Sequence, residues 1–98
     1  MNIVKTSEND KITIALEGRL DTTTAPQLDA EIQASLGGVK TLVFDLAKLA
    51  YISSAGLRVL LSAQKKMNAQ GEMIVTNVCE DVMEVFEVTG FSDILTIQ

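Results

Sequence analysis

Histidine is absent from this 98-residue sequence, and cysteine and proline occur once each, as Cys79 and Pro26. Without histidine and with a single thiol, the usual zinc ligand sets cannot be assembled and no internal disulfide can form. No glycine-rich loop has the spacing that cradles a phosphate, because Gly37 and Gly38 follow a helical pattern instead of opening one. We therefore expect no metal, no disulfide and no cofactor.

Positive charge is also scarce, since eight bases face thirteen acids and the formal net charge is −5. The largest basic cluster is Lys65-Lys66, which is too small to follow a phosphate backbone, so nucleic acid is not an expected partner. Charged residues interrupt the apolar segments every few positions, and residues 1–11 contain neither a signal-peptide core nor a membrane span. The chain is expected to be cytoplasmic and to act without a membrane.

What the sequence does contain is enough apolar material for one core. Hydrophobic residues make up 47% of the chain, and no low-complexity run interrupts them. A chain of this length buries roughly two thirds of its unfolded surface when it folds. Residues 1–98 are therefore predicted to form a single domain.

Strand and helix patterns alternate along the chain. Strands are predicted at 3–5, 12–16, 40–45, 72–78 and 94–97. Helical patterns begin near Pro26, Ser54 and Glu80, and Gly71 is expected in a left-handed conformation after the second helix. The predicted order is ββαβαβαβ, an α/β fold whose mixed, mostly parallel sheet of about five strands begins with an antiparallel hairpin.

The segment 42–61 changes from a strand pattern to a helix pattern. Its strand is expected to end at Asp45, after which apolar residues hold a connection against the core until the helix begins at Ser54. Ser53 and Ser54 stand at this helix start, and serine is a good cap for the free N–H groups of a first turn. The same position would present a hydroxyl, or a phosphate added to it, to the positive end of the helix dipole. The pattern alone leaves both interpretations open.

Other polar residues give weaker signals. Asp21 and Asp45 follow strand-like runs, where α/β folds often place a site, but aspartate is equally common in turns. The pair Ser62 and Lys65 matches a Ser-x-x-Lys pattern, yet it lies in mid-helix and we interpret it as chance. Cys79 precedes a helix, a position that can activate a thiol, although burial as a small apolar residue is the favoured interpretation.

Four stretches of the chain resemble the motifs of a known family. They are Gly18-Arg19-Leu20-Asp21 followed by Thr24-Ala25, then Leu42-Val43-Phe44-Asp45-Leu46, then Tyr51-Ile52-Ser53-Ser54-Ala55-Gly56-Leu57, and finally Val85-Phe86-x-x-Thr89-Gly90-Phe91. Over essentially its whole length the chain resembles a STAS domain of the bacterial anti-sigma factor antagonist type. In that family the phosphorylated serine lies two residues before a motif glycine, which Gly56 matches, so the resemblance implies phosphorylation of Ser54. Where the family motif has aspartate, this chain has Ser53, which is the alternative acceptor.

The resemblance implies partner switching and not an enzyme. An unphosphorylated protein of this type binds an anti-sigma factor that is also a GHKL-type serine kinase, and thereby frees the sigma factor. Phosphorylation of Ser54 would end this binding, and a PP2C-type phosphatase would restore it. The residues implied in partner binding are Asp21, Thr24, Ser53, Ser54, Ala55, Gly56, Leu57 and Arg58. The resemblance also allows a weak homodimer.

Two other functions stay open at this point. The first is a non-switching STAS module, a scaffold or a subunit of another signalling or transport complex, which is favoured if Ser53 has disabled phosphorylation. The second is a small hydrolase, which would need a base to activate Ser54, and without histidine only lysine or a carboxylate remains.

Gly56 is expected to give the kinase access, so that Gly56→Ala would leave stability unchanged or slightly raised.

Overall fold

The computed structural model describes all 98 residues, which form four strands and four helices. The strands are β1 (Asn2–Glu8), β2 (Lys11–Leu20), β3 (Thr41–Ile52) and β4 (Glu72–Thr76). The helices are α1 (Ala25–Ser35), α2 (Ser54–Gln70), α3 (Glu80–Thr89) and the short α4 (Phe91–Ile94).

The strands form one mixed sheet in the order β1-β2-β3-β4. β1 and β2 pair antiparallel through a turn in which Asn9 has a φ of 55°, a left-handed conformation that asparagine tolerates. The β2–β3 and β3–β4 pairings are parallel, with α1 and α2 as the connections. The predicted α/β class, in which an antiparallel hairpin precedes a mostly parallel sheet, is confirmed.

The predicted final strand at 94–97 is wrong. Ile94 is the last residue of α4, and beyond it the sheet gains a single bridge between Ile97 and Val75. The reason lies at Gly90, whose left-handed φ of 81° ends α3 and turns the chain directly into α4. Residues 96–98 therefore contact Val75 of β4 through two backbone hydrogen bonds without forming a fifth strand.

The core lies on one face of the sheet, under the helices. Alternate residues of β2 are buried, whereas those between them are half-buried or exposed, as expected when helices cover one face only. Phe44 of β3 and Phe86 of α3 are the largest fully buried side chains. The 24 buried hydrophobic residues form one cluster, which fixes the strand ends relative to the helices.

β3 is longer than predicted, because it continues from Asp45 to Ile52. Between these residues it contains two more residues than the facing part of β2, since the register shifts once between Ala15 and Glu17 and again between Gly18 and Arg19. Such β-bulges change the spacing of buried residues from two to three. The prediction that this segment is a connection was therefore wrong.

Gly71, after α2, has a φ of 178° and is extended, so the left-handed conformation predicted for it is wrong. A Cβ atom here would collide with the Lys40 carbonyl, which accepts a 2.9 Å hydrogen bond from the Glu72 N–H. Glycine is needed at this position because α2 enters β4 in close contact with the start of β3.

None of the helices combines the length and the apolarity needed to cross a membrane.

Candidate functional site

The serine-containing helix start lies at the edge of the sheet where β2 and β3 both end. Leu20 and Ile52 are paired across the two strands, and the Ser53 N–H donates a 2.9 Å hydrogen bond to the Leu20 carbonyl. Parallel strands have their carboxyl ends at the same edge, and α/β folds often place sites there. Asp21, which follows Leu20, is thereby brought to the same edge of the sheet as the start of α2.

Ser53, and not Ser54, caps α2. Its backbone is extended, and its Oγ accepts a 3.4 Å hydrogen bond from the Gly56 N–H, which has no partner within the helix. Ser54 is the first residue of the helix, and its side chain is exposed. Each serine thus fits one of the two interpretations left open by the sequence. Ser53 caps the helix, and Ser54 presents a free hydroxyl beside the cap.

Gly56 is buried in the first turn of α2, facing the sheet. A Cβ atom at this position would lie 2.7 Å from Leu20 Cγ and 2.9 Å from Ile52 Cγ1, closer than real Cβ contacts allow. The glycine therefore lets the helix pack directly against the ends of β2 and β3. The expectation that Gly56 serves access from outside is wrong, because the residue is buried against the ends of both strands. Leu57 is also buried, so neither of these two predicted partner-binding residues is accessible at the surface.

Asp21 and Thr24 stabilise the turn between β2 and α1. One Asp21 carboxylate oxygen accepts hydrogen bonds from the N–H groups of Thr23 at 3.0 Å and Thr24 at 3.2 Å. In return, Thr24 Oγ1 accepts from the Asp21 N–H at 2.9 Å and donates to the Arg19 carbonyl at 2.8 Å. The sequence interpretations of Asp21 as turn residue and as site residue are thus compatible, because the turn itself lies at the site.

The electrostatic state of Asp21 follows from these contacts. The Thr24 N–H contributes most to lowering the pKa of the Asp21 carboxyl below its ordinary value of 3.8, with desolvation opposing it and the Thr23 N–H and Arg19 charge adding to it. The Arg19 side chain lies 3.8 Å from the Asp21 carboxylate and 4.1 Å from the centroid of the Tyr51 ring. Asp21 is therefore a fixed negative charge at the edge of the site at neutral pH.

A shallow groove of about 370 Å³ lies between α1 and α2, next to Ser54. It is lined by Thr22, Ala25, Pro26, Asp29, Ala55, Arg58, Val59 and Ser62. Of these, only Ala55 and Arg58 were predicted as partner-binding residues. The α1 residues were not predicted, because the groove forms only when the two helices pack together. Its α2 wall had a signal in the sequence, since Arg58 and Ser62 are polar residues four positions apart among apolar ones.

Two other candidates lie outside this corner. Asp45 is inside β3, and not at its end as predicted, where it accepts hydrogen bonds from the Ala47 N–H at 3.0 Å and the Asn77 side chain at 3.1 Å. It therefore links the first bulge to Asn77, the residue that follows β4. Cys79 precedes α3, is half-buried, and its Sγ lies 3.4 Å from the Leu49 carbonyl as a weak donor.

Comparison with known families assigns the chain to one of them. The family model described as the STAS domain matches residues 2–98. The chain belongs to the STAS domain family. This STAS domain is 33% identical to the anti-sigma-B factor antagonist of Listeria monocytogenes, over 100% of this chain and 90% of that protein. It is 42% identical to BtrV of Bordetella bronchiseptica, a proposed anti-sigma factor antagonist, over 84% of this chain and 72% of BtrV.

A solved structure shows the same architecture. The STAS domain superimposes on SpoIIAA of Bacillus in its unphosphorylated form with a TM-score of 0.78 and in its phosphorylated form with 0.77, at 22% identity. The alignments cover 99% of this chain and 87% and 91% of the SpoIIAA chains. At this identity the likeness establishes the fold. The resemblance to the bacterial anti-sigma factor antagonist family, predicted from the motifs, is confirmed by the sequence relatives.

Proposed function

We propose that this STAS domain is a cytoplasmic anti-sigma factor antagonist that switches partners. Unphosphorylated, it binds an anti-sigma factor that is also a GHKL-type serine kinase, so that the sigma factor is released. Phosphorylation of Ser54 ends the binding, and a PP2C-type phosphatase reverses it. The proposal is supported by the names of the sequence relatives and by the solved SpoIIAA structures in unphosphorylated and phosphorylated forms.

One observation favours Ser54 as the acceptor. Of the two adjacent serines, Ser53 has its Oγ in the helix cap, whereas the Ser54 side chain is exposed at the first helical position. A kinase can therefore reach the Ser54 Oγ without opening the cap. In the reaction, that oxygen would attack the γ-phosphorus of ATP, the bond to the bridging oxygen of ADP would break, and the hydroxyl proton would pass to a base of the kinase.

The added phosphate would act on the surface more than on the fold. It carries about −1.5 to −2 charges at neutral pH, and at a helix N-terminus it meets free N–H groups that stabilise it. The domain would therefore stay folded while the edge formed by the half-buried Asp21, Thr24 and Ala55 and the exposed Arg58 gains negative charge. A partner surface that fits a neutral hydroxyl would lose affinity, because the new charge must be desolvated on binding and that surface offers it no counter-charge.

The serine at position 53, where the family motif has aspartate, is compatible with the switch. Aspartate and serine cap helices about equally well, and Ser53 performs that task here. The substitution thus preserves the local structure around Ser54. A hydrolase is disfavoured, since the carboxylate at this edge, that of Asp21, is engaged in its own turn and the sequence has no histidine.

The test is phosphorylation by a purified GHKL-type anti-sigma factor kinase from the same organism. The full chain is incubated with ATP and kinase, and the intact mass and the phosphopeptide are measured. We expect one phosphate, on Ser54, which is absent from Ser54→Ala, present in Ser53→Ala, and removed by the phosphatase. A mass that does not change would leave the non-switching scaffold or subunit as the better function, and a phosphate on Ser53 would refute the residue assignment.

A further inference from the structure

Arg58 lies one helical turn after Ser54 on the exposed side of α2. Residues four apart on a helix are neighbours on its surface, and helical side chains lean toward the N-terminus, so the Arg58 side chain can extend over the position of Ser54. Arg58 also lines the groove beside Ala55, which places it between the groove and Ser54. The guanidinium can thus reach an added phosphate without a change in the backbone.

Arg58 has no ion-pair partner. The three ion pairs of the domain involve Lys5, Arg19 and Lys48, and although Asp29 lines the same groove, no Arg58–Asp29 pair lies within 4.0 Å. α2 contains three bases and no acid, so its own residues supply no counter-charge. A base near the N-terminal end of a helix is also poorly placed for the helix dipole, so helix stability does not explain this arginine.

We propose that Arg58 is an intramolecular clamp for the phosphate of phosphorylated Ser54. The inference rests on the proposed function and extends it, because it names the group that receives the modification. Arginine suits this task, since its planar guanidinium forms two parallel hydrogen bonds to phosphate oxygens. Phosphorylation then has two effects on the partner-binding edge: it adds negative charge, and it withdraws a positive side chain that is free in the unphosphorylated domain.

The experiment uses the full chain with phosphoserine incorporated genetically at position 54, so that no kinase is needed. Phosphorus NMR gives the second pKa of the phosphate in the parent, in Arg58→Gln and in Arg58→Lys. Lys65→Gln is the matched control, because Lys65 is an exposed base on the same side of α2 but lies about 16 Å from Ser54 along the helix axis. Thermal unfolding curves verify that each variant folds.

We expect Arg58→Gln to raise the phosphate pKa by about 0.2 to 0.7 of a unit, the range of an exposed ion pair, and Lys65→Gln to leave it within about 0.1. Arg58→Lys should restore part of the difference, and the Arg58 Nε–H resonance should move downfield in the phosphorylated parent only. Equal shifts in Arg58→Gln and Lys65→Gln, or an Arg58 resonance unaffected by phosphorylation, would refute the clamp. Failure of a kinase to phosphorylate Ser54 would refute the proposed function and leave this measurement unaffected.

Discussion

The Ser53 N–H donates a 2.9 Å hydrogen bond to the carbonyl of Leu20, which joins the end of β2 to the residue that caps α2. Ser53 therefore bonds to the sheet edge through its backbone N–H and caps the helix through its side chain. Ser54 does neither, which separates a structural serine from an exposed one at adjacent positions. The consequences of this division can be measured.

The first prediction concerns the helix cap. Ser53→Ala should lower the free energy of unfolding by about 1 kcal/mol, because the Gly56 N–H loses its acceptor, whereas Ser53→Asp should restore it. Ser54→Ala removes an exposed hydroxyl and should change stability by less than about 0.5 kcal/mol. Urea denaturation of the three variants gives these values. Equal losses for the two alanine variants would show that Ser54 shares the capping role.

The second prediction concerns Gly56. Gly56→Ala should lower the free energy of unfolding by about 1 to 2 kcal/mol, because overpacking against Leu20 and Ile52 exceeds the gain in helix propensity of about 1 kcal/mol. Gly37→Ala is the control, since no atom lies within 4 Å of its added Cβ, and it should be neutral or stabilising. Denaturation curves for both variants decide the matter. A Gly56→Ala domain as stable as the parent would contradict the packing role.

The third prediction concerns the pH dependence that Asp21 contributes. Because its pKa is lowered in the folded state, the ionised carboxylate stabilises the domain above its ordinary pKa, and this contribution disappears as the pH falls through the folded value. Asp21→Asn keeps an oxygen that accepts from Thr23 and Thr24 but has no charge. The stability difference between the parent and this variant should be constant from pH 7 to 5 and shrink below about pH 4. Thermal unfolding in acid buffers measures it, and a constant difference down to pH 2 would refute the assignment.

The fourth prediction separates folding from binding at Ser54. Ser54→Ala should bind the anti-sigma factor with the affinity of the parent, because it remains uncharged. Ser54→Asp should fold normally and bind at least about tenfold more weakly, through like-charge and desolvation costs, with a smaller loss than true phosphorylation causes. Calorimetric titration of the anti-sigma factor against both variants gives the affinities. Equal affinities for Ser54→Asp and the parent would remove the switch from Ser54.

Local sequence patterns predicted those parts of the fold that depend on local chemistry. The alternation around Ile14 located β2, Pro26 marked the first turn of α1, and the serines located the start of α2. These signals act over a few residues, so they do not depend on what the chain packs against. The corner was located for the same reason, because its capping residues are adjacent in sequence.

Features that depend on contacts between distant segments could not be predicted. The cap was assigned to neither serine in particular, because both can accept an N–H bond and the choice follows from the hydrogen bond that Leu20 makes with Ser53. Gly56 was interpreted from helix propensity alone, since Leu20, which excludes a larger side chain, lies 36 positions earlier in the chain. The final strand was predicted wrongly, because the apolar residues after Gly90 fit a strand or a packed turn equally well.

The two bulges of β3 determine how Ser54 is presented. Each adds one residue to β3 that β2 lacks, so together they preserve the parity of the strand: Ile52 faces the core, and the next residue meets Leu20. Deleting one residue between Asp45 and Ile52 would reverse that parity and turn the last apolar side chain outward, while deleting two could restore it. The number of residues in this segment is therefore constrained, in addition to the apolar identity of its buried members Leu46, Leu49 and Ile52. Ser54 faces solvent because the number of residues in the strand before it turns Ile52 toward the core.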